Sequence, residues 1–228
     1  MIEQFIHPIL KHPASWFLAA VLILVGAAMA DLTVSGWFYR SNEGFYDQRS
    51  GIMEFLRKGV PRIMMVFVAG TVLVWATGWL RRKCYLGLNG YGMLYLGLTL
   101  AIGPGLVVET ILKSYWGRAR PRQIEEFGGD ALYSQPFWIS DQCVSNCSFS
   151  SGHAAFAFWF TAYSFLVPVS WRSTLVFAGV LFGCLMGIVR IAQGAHFLSD
   201  VIVSGLVVIG INYLLYTVML KKNGMHHD

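Results

Sequence analysis

Apolar positions gather into six uninterrupted runs, at 15–34, 61–80, 91–112, 153–169, 174–191 and 200–220. A helix needs roughly 20 apolar residues to cross the hydrocarbon layer, and each run is near that length, the fourth and fifth at the short end. The runs are continuous rather than alternating, which excludes the strands of a membrane barrel. Backbone groups in lipid must bond within their own segment, so the runs are expected as helices. The pattern therefore predicts an all-α polytopic membrane protein with six transmembrane helices, one domain over 1–228. Two polar connections, 35–60 and 113–152, fall on the same side of an even-numbered bundle.

Local signals refine this picture. Trp16, Trp37, Trp79, Trp116 and Trp171 stand near run ends, where indoles favour the interface. Ile52, Phe55 and Leu56 lie at helical spacing among charges and predict an interfacial helix in the first long connection. Pro104, between Gly103 and Gly105, predicts a kink in the third helix. The first run has Lys11 before it and Ala28-Met29-Ala30 near its end, as a cleaved signal would, but it is long for a signal core and is read as a span. His7, His12, His226 and His227 are expected at the interface or in solvent.

Composition agrees with the pattern. The 228 residues are 56% hydrophobic and 13% charged, with mean hydropathy +0.56, against about 25% charge in soluble domains. The net charge of +5 and pI near 9.1 do not come from a basic stripe interleaved with aromatics, so nucleic acid is not an expected partner; membrane lipids are. The Arg81-Arg82-Lys83 cluster, with Lys11, Arg172, Lys221 and Lys222, is expected on the cytoplasmic side. The opposite side carries more cations, against the positive-inside rule, because several of them belong to a site. Cys84 and Cys184 read as small core residues. Cys143 and Cys147 share one polar loop without a second pair, so they are no zinc signature; a disulfide between them is expected if that loop meets an oxidising space.

The chemistry sits in three segments: Lys113-Ser-Tyr-Trp-Gly-Arg-Ala-Arg120-Pro121, Ser150-Ser151-Gly152-His153, and Arg190-Ile-Ala-Gln-Gly-Ala-His196-Phe-Leu-Ser-Asp200. Each lies at a run boundary, and a six-span topology places all three on one face of the membrane. Charged residues at span ends are costly and point to function. Lys113, Arg120 and Arg190 supply charge and donors suited to a phosphoryl group. Ser151 and Gly152 fall at the expected N-terminus of the fourth helix, where unpaired N–H groups attract anions. His196 and Asp200, four residues apart, stack on one helix face, so Asp200 is expected to accept a hydrogen bond from Nδ1–H and leave Nε2 free to attack phosphorus. His153 is placed to protonate the leaving oxygen and then activate water. Arg118 and Arg122 flank the site as candidate head-group contacts. Glu109, one turn before Lys113, is expected to pair with a cation of the site. Nothing in the sequence reads as a metal-ligand cluster or implies a cofactor, so metal-independent chemistry is expected.

These segments resemble the signature of the type 2 phosphatidic acid phosphatase family, which shares its site with vanadium haloperoxidases: Lys-x6-Arg-Pro, Pro-Ser-Gly-His and Ser-Arg-x5-His-x3-Asp. Ser150 replaces the proline and Val189 the serine; both flank the chemistry. The motif resemblance covers about 91–205. It implies a six-helix, vanadium-haloperoxidase-like core and a phosphohistidine at His196. It also implies His153 as acid and base, Asp200 orienting a catalytic histidine (His196 by spacing, or His153), and a lipid phosphate substrate; the location of the site at the membrane surface predicts a lateral opening between the helices that border it. In bacterial members the site usually faces the periplasm, which implies an inner-membrane location and an oxidising space around Cys143 and Cys147. The compact chain, and the cysteine-bearing loop running into Ser151-Gly152-His153, are similar to the lipid A phosphatase branch. Phosphatidylglycerophosphate and undecaprenyl pyrophosphate phosphatases, and a lipid phosphotransferase using the same site, are the alternatives.

Overall fold

The computed structural model describes residues 13–46, 50–85 and 88–221. His7, Lys11, His12, Arg49, Lys222, His226 and His227, and the side chain of Trp16, lie outside what it describes. Six helices carry the chain: α1 Pro13–Gly36, α2 Gly51–Leu80 and α3 Gly90–Tyr115, α4 Gly152–Trp159, α5 Val169–Ala192 and α6 Leu198–Lys221. Among the described residues there is no strand, only two isolated bridges.

Five helices are long and apolar enough to cross a membrane: α1 from Phe17, α2, α3, α5 and α6. The run at 153–169 departs from the expected sixth long helix. Its α4 has 8 residues and tightens into a 3₁₀ segment, Phe160–Leu166. The residues explain why. Thr161 Oγ1 donates to the Phe158 carbonyl (2.8 Å) and Ser164 Oγ to the Thr161 carbonyl (2.7 Å), each three residues back, which competes with the α-helical ladder. Pro168 then forces Val167 into an extended conformation and ends the element.

Helix α4 is the centre of the bundle. Ala154, Ala155, Ala157, Phe158 and Trp159 are buried. On α5, Gly179, Gly183 and Gly187 recur every fourth residue. A β-carbon there would collide with Thr161, Phe158 and Val201 respectively, so the small stripe lets α5 close on α4 and α6. Polar groups inside this packing are paired: Trp159 Nε1 donates to Thr99 Oγ1 (2.9 Å) and Tyr95 Oη to the Asn212 carbonyl (3.0 Å). The outer faces of α1 and α2 remain apolar and exposed, from Phe17, Leu18 and Leu22 to Val66, Phe67 and Leu73, as lipid contact requires. Cys84 and Cys184, expected in the core, are free and exposed instead.

Two further expectations change form. Ile52, Phe55 and Leu56 do not make a separate interfacial helix; they are the opening turns of α2, which runs unbroken from Gly51 through a π-helical turn, Phe55–Gly59. Around Pro104, where a kink is expected, α3 is widened into a π-helix over Ala101–Leu112. The connection 116–151 folds back over one end of the bundle. There Ala119, Ile124 and Phe197 form a small core with Leu32, Phe127 and Tyr133. Trp116 stacks on Phe149 with ring centroids 4.7 Å apart and donates to the Pro136 carbonyl (2.6 Å). Cys143 and Cys147 are joined in a disulfide.

Candidate active site

His196 sits in the tight turn joining α5 to α6. Gly194 makes that turn at φ +58°, with Phe45 packed where a β-carbon would go. The imidazole is buried, and its Nδ1 lies 2.7 Å from the Ser148 carbonyl. A carbonyl only accepts, so Nδ1 carries the proton and Nε2 the lone pair. Burial pushes the His196 pKa well below its ordinary value, and Arg190, Arg120 and Lys113 add to the effect. The ring is therefore neutral at physiological pH, and the cations that depress it are three predicted from sequence.

Asp200 does not hold His196 directly, contrary to expectation. Its Oδ2 is 3.9 Å from Nδ1, beyond hydrogen-bond reach. As a residue of the first turn of α6, it folds back to accept from the Phe197 backbone N–H (2.8 Å), the behaviour of a capping carboxylate. Ser148 Oγ donates to the same oxygen at 2.6 Å. Ser148 thus links the two residues, its hydroxyl on Asp200 and its carbonyl on His196.

The predicted phosphate ligands converge around this turn. Arg120 is fixed by Asn146: its Nε and Nη2 donate to the Asn146 carbonyl at 3.0 and 2.6 Å, and Nη2 to Oδ1 at 2.8 Å. Burial lowers its pKa to about 10, with a smaller push from Arg122, which leaves it charged near neutrality. Arg190, in the last turn of α5, donates through Nη1 to Gln193, while its Nε is buried without a protein partner. Ser151 is the N-cap of α4, and its buried Oγ also lacks a protein partner. Lys113 Nζ bonds both oxygens of Glu109 at 2.9 Å, the pairing expected for that carboxylate. Glu109 rests against Gly152, where a β-carbon would collide with its Oε1.

His153 occupies the first turn of α4, with Nε2 3.1 Å from the Arg57 carbonyl. Pro61 explains why that carbonyl is available, since proline has no N–H to give the residue four positions back. Beside His153, Glu109 and Gly152 lies a cavity of about 480 Å³, walled by Pro61, Met65, Leu100, Ala101, Pro104 and Gly105 and others of α2, α3 and α4.

Arg118 corrects a second expectation. It does not face a head group but is fully buried. It forms ion pairs with Asp31 (2.8 Å) and Asp200 (2.6 Å). Both carboxylates hold the guanidinium inward, and removing one partner of such a buried pair costs about 3–5 kcal/mol. Arg122 remains exposed on the turn Pro121–Gln123. Sequence reasoning missed Asp31, Asn146, Ser148 and the Arg57 carbonyl. Asp31 carried a signal, an ionisable residue inside an apolar run. The other three act largely through backbone groups, which no motif encodes.

Residues 92–224 match the PAP2 superfamily. The chain is 33% identical over 201 residues to the lipid A 4'-phosphatase of Francisella tularensis subsp. novicida, covering 84% of this chain and 87% of that protein. It is 42% identical over 108 residues to a lipid A 4'-phosphatase of Rhizobium leguminosarum, covering 47% of this chain and 46% of that protein. Against the one of Rhizobium etli it is 45% identical over 109 residues, covering 47% and 42%. No solved structure matches the chain. Agreement over more than half of its length, and with one relative along most of both proteins, makes this chain a member of the PAP2 superfamily.

Proposed function

We propose that the protein is a membrane lipid phosphatase that removes a phosphate from lipid A, at the 4' position, through a phosphohistidine on His196. The observation that carries this reading is the apolar cavity beside His153 and Glu109. Its position between membrane-length helices lets acyl chains stay in the bilayer while a phosphorylated head group reaches the cationic turn. The names of the relatives support lipid A as the substrate.

In this mechanism Lys113, Arg120, Arg190, Ser151 and the Gly152 N–H hold the three non-bridging oxygens, leaving phosphorus open to His196. Ser151 Oγ and Arg190 Nε, without protein partners, are free to donate to the phosphoryl group. Nε2 attacks phosphorus, the P–O bond to the lipid breaks, and His153 protonates the departing oxygen. Water then attacks the phosphohistidine, His153 takes its proton, and inorganic phosphate leaves with Nε2 restored. Charge spread over the equatorial oxygens is stabilised by the fixed cations. Because His153 Nε2 is engaged by the Arg57 carbonyl, it exchanges that bond for the leaving oxygen as the lipid binds. Arg122, exposed beside Arg57, is placed for a second charged group of the head.

The same reading completes the topology. Helix α4 with its 3₁₀ extension is a sixth, short crossing inside the five longer ones, in a core of the vanadium-haloperoxidase kind. The chain is one domain, its 35–60 and 113–152 connections lie on the active-site side, and that side faces the periplasm from the inner membrane.

The test is phosphate release by the detergent-purified protein with chelator present. The panel holds lipid A, phosphatidic acid, phosphatidylglycerophosphate and undecaprenyl pyrophosphate, each repeated with His196→Ala. Chelator-resistant release from lipid A, reduced at least ~10³-fold in the variant, is expected. Release that survives the substitution sinks the phosphohistidine. Release from another lipid of the panel but not from lipid A overturns the substrate.

A further inference from the structure

We infer that Asp31, on α1, is a positioning residue for the His196 nucleophile, acting through Arg118 and Asp200. The inference rests on the phosphohistidine reading above. Helix α1 lies outside the stretch that matches the family, 92–224, so the link to the site comes from geometry alone.

The link is continuous. Asp31 Oδ2 accepts from Arg118 Nη2 at 2.8 Å and from Ser199 Oγ at 2.6 Å, and Oδ1 accepts from the Ser199 backbone N–H at 2.8 Å. Arg118 Nη1 donates to Asp200 Oδ1 at 2.6 Å and to Ser199 Oγ at 2.9 Å. Asp200 Oδ2 accepts from Ser148 Oγ, and the Ser148 carbonyl holds His196 Nδ1. Asp31, Arg118, Ser148, Ser199 and Asp200 are all at 0% exposure, so Asp31 and Arg118 do not touch a substrate.

The chemistry of the linkage favours orientation over simple adhesion. A guanidinium is planar, and its fork sets the directions of the groups that accept from it. Arg118 Nε is fixed on the Ser134 carbonyl at 2.8 Å, and its plane lies over the Phe197 ring at 4.2 Å, next to His196 in sequence. Two carboxylates share this one cation. With Asp31 neutral, no second carboxylate balances the pull of Asp200 on the guanidinium. The Asp200 carboxylate then shifts, and with it Ser148 and the imidazole. Displacements of about 1 Å at a reacting group cost up to about 10²-fold in rate.

A purely structural clamp and a positioning residue differ in what they do to inhibitors. Vanadate mimics the five-coordinate transition state and senses where the nucleophile stands; inorganic phosphate in its ground state senses mainly the cations. The experiment uses full-length, detergent-purified wild type, Asp31→Asn and Ser199→Ala with the lipid that the wild type turns over. For Asp31→Asn, kcat/KM is expected to fall about 10- to 100-fold, with vanadate Ki raised by a similar factor and phosphate Ki within about twofold. Ser199→Ala, a smaller lesion in the same linkage, is expected to show the same pattern at about 3- to 10-fold, and it carries the test if Asp31→Asn does not fold. A loss of turnover with both Ki values unchanged means only fewer folded molecules and overturns the inference. Variants that match an active wild type overturn it as well. A wild type without turnover on any lipid phosphate would overturn the phosphatase reading, and this inference with it.

Discussion

His196 Nδ1 is held by the backbone carbonyl of Ser148, 2.7 Å away, so the residue that fixes the imidazole tautomer lies 48 positions earlier, on the disulfide-bearing loop. Asp200, four residues on, touches that loop through the Ser148 hydroxyl. The arrangement separates two tasks often given to one carboxylate: the carbonyl sets the tautomer, and the carboxylate sets the carbonyl.

Ser148→Ala tests that separation. The carbonyl remains, so Nδ1 keeps its acceptor, while Asp200 Oδ2 loses one of its donors. The kcat is expected to fall on the order of tenfold, with KM little changed, because the lesion misplaces the nucleophile rather than the phosphate ligands. Steady-state kinetics on the lipid substrate reads both constants. A rise in KM with kcat intact would mean that Ser148 belongs to the binding surface instead.

Gly152 and Glu109 are predicted to be coupled. A β-carbon at 152 collides with the Glu109 carboxylate, which also holds Lys113. Gly152→Ala is expected to lower kcat/KM about 10- to 100-fold, and adding Glu109→Ala to recover part of that loss, a non-additive cycle of the size seen for residues in contact. Strict additivity in the double variant would show that the steric conflict is relieved without moving Glu109.

The cavity predicts a substrate-dependent variant. Ala101 is exposed and lines the apolar wall, so Ala101→Trp fills the space without disturbing buried packing. Turnover of the lipid is expected to drop about tenfold or more, while a short water-soluble phosphate ester, expected to be a poorer substrate from the outset, is unaffected. Equal losses on both would place the acyl chains elsewhere.

Much of this was legible in the sequence, and what was not has a physical reason. The apolar runs anticipate α1, α3, α5 and α6 closely, because each face that meets lipid must be apolar whatever its neighbours do. The fourth run is shorter and tighter than its hydropathy conveys, because hydropathy does not register hydroxyls that bond three residues back. The three segments located Lys113, Arg120, Ser151, Gly152, His153, Arg190, His196 and Asp200 at one end of the bundle. The i, i+4 spacing of His196 and Asp200 gave the wrong partner, since a carboxylate in the first turn of a helix has nearer donors in its own backbone. Arg118 looked like its neighbours in the chain. Only the fold reveals two buried carboxylates waiting for it, one of them 87 residues earlier in the sequence.

The His196 pKa has a consequence for stability. Its folded value is depressed by burial and by Arg190 and Arg120, so the unfolded chain binds a proton that the folded one refuses. The contribution is absent above the unfolded value, near pH 6.5, and destabilises the fold as pH drops below it, by up to about 1.4 kcal/mol per pH unit. Melting in detergent is expected to move to lower temperature between pH 7 and pH 5, and His196→Gln to weaken that dependence. An identical pH dependence in the variant would mean that other groups set the slope.

The disulfide supplies the last prediction. Cys143 and Cys147 close a short loop whose Asn146 grips Arg120 through both its carbonyl and its side chain, and Ser148 follows directly. Opening the loop is expected to release Arg120 first, because two of its three bonds end on the Asn146 backbone. KM for the lipid is then predicted to rise about three- to tenfold with a smaller loss in kcat, since weaker ground-state binding of phosphate raises KM. Kinetics before and after treatment with a thiol reductant measures this, with Cys143→Ser/Cys147→Ser as control. That double variant should already show the raised KM and ignore the reductant. If reductant leaves KM unchanged in the wild type, the surrounding packing of Trp116 and Phe149 holds the loop without help from the bond.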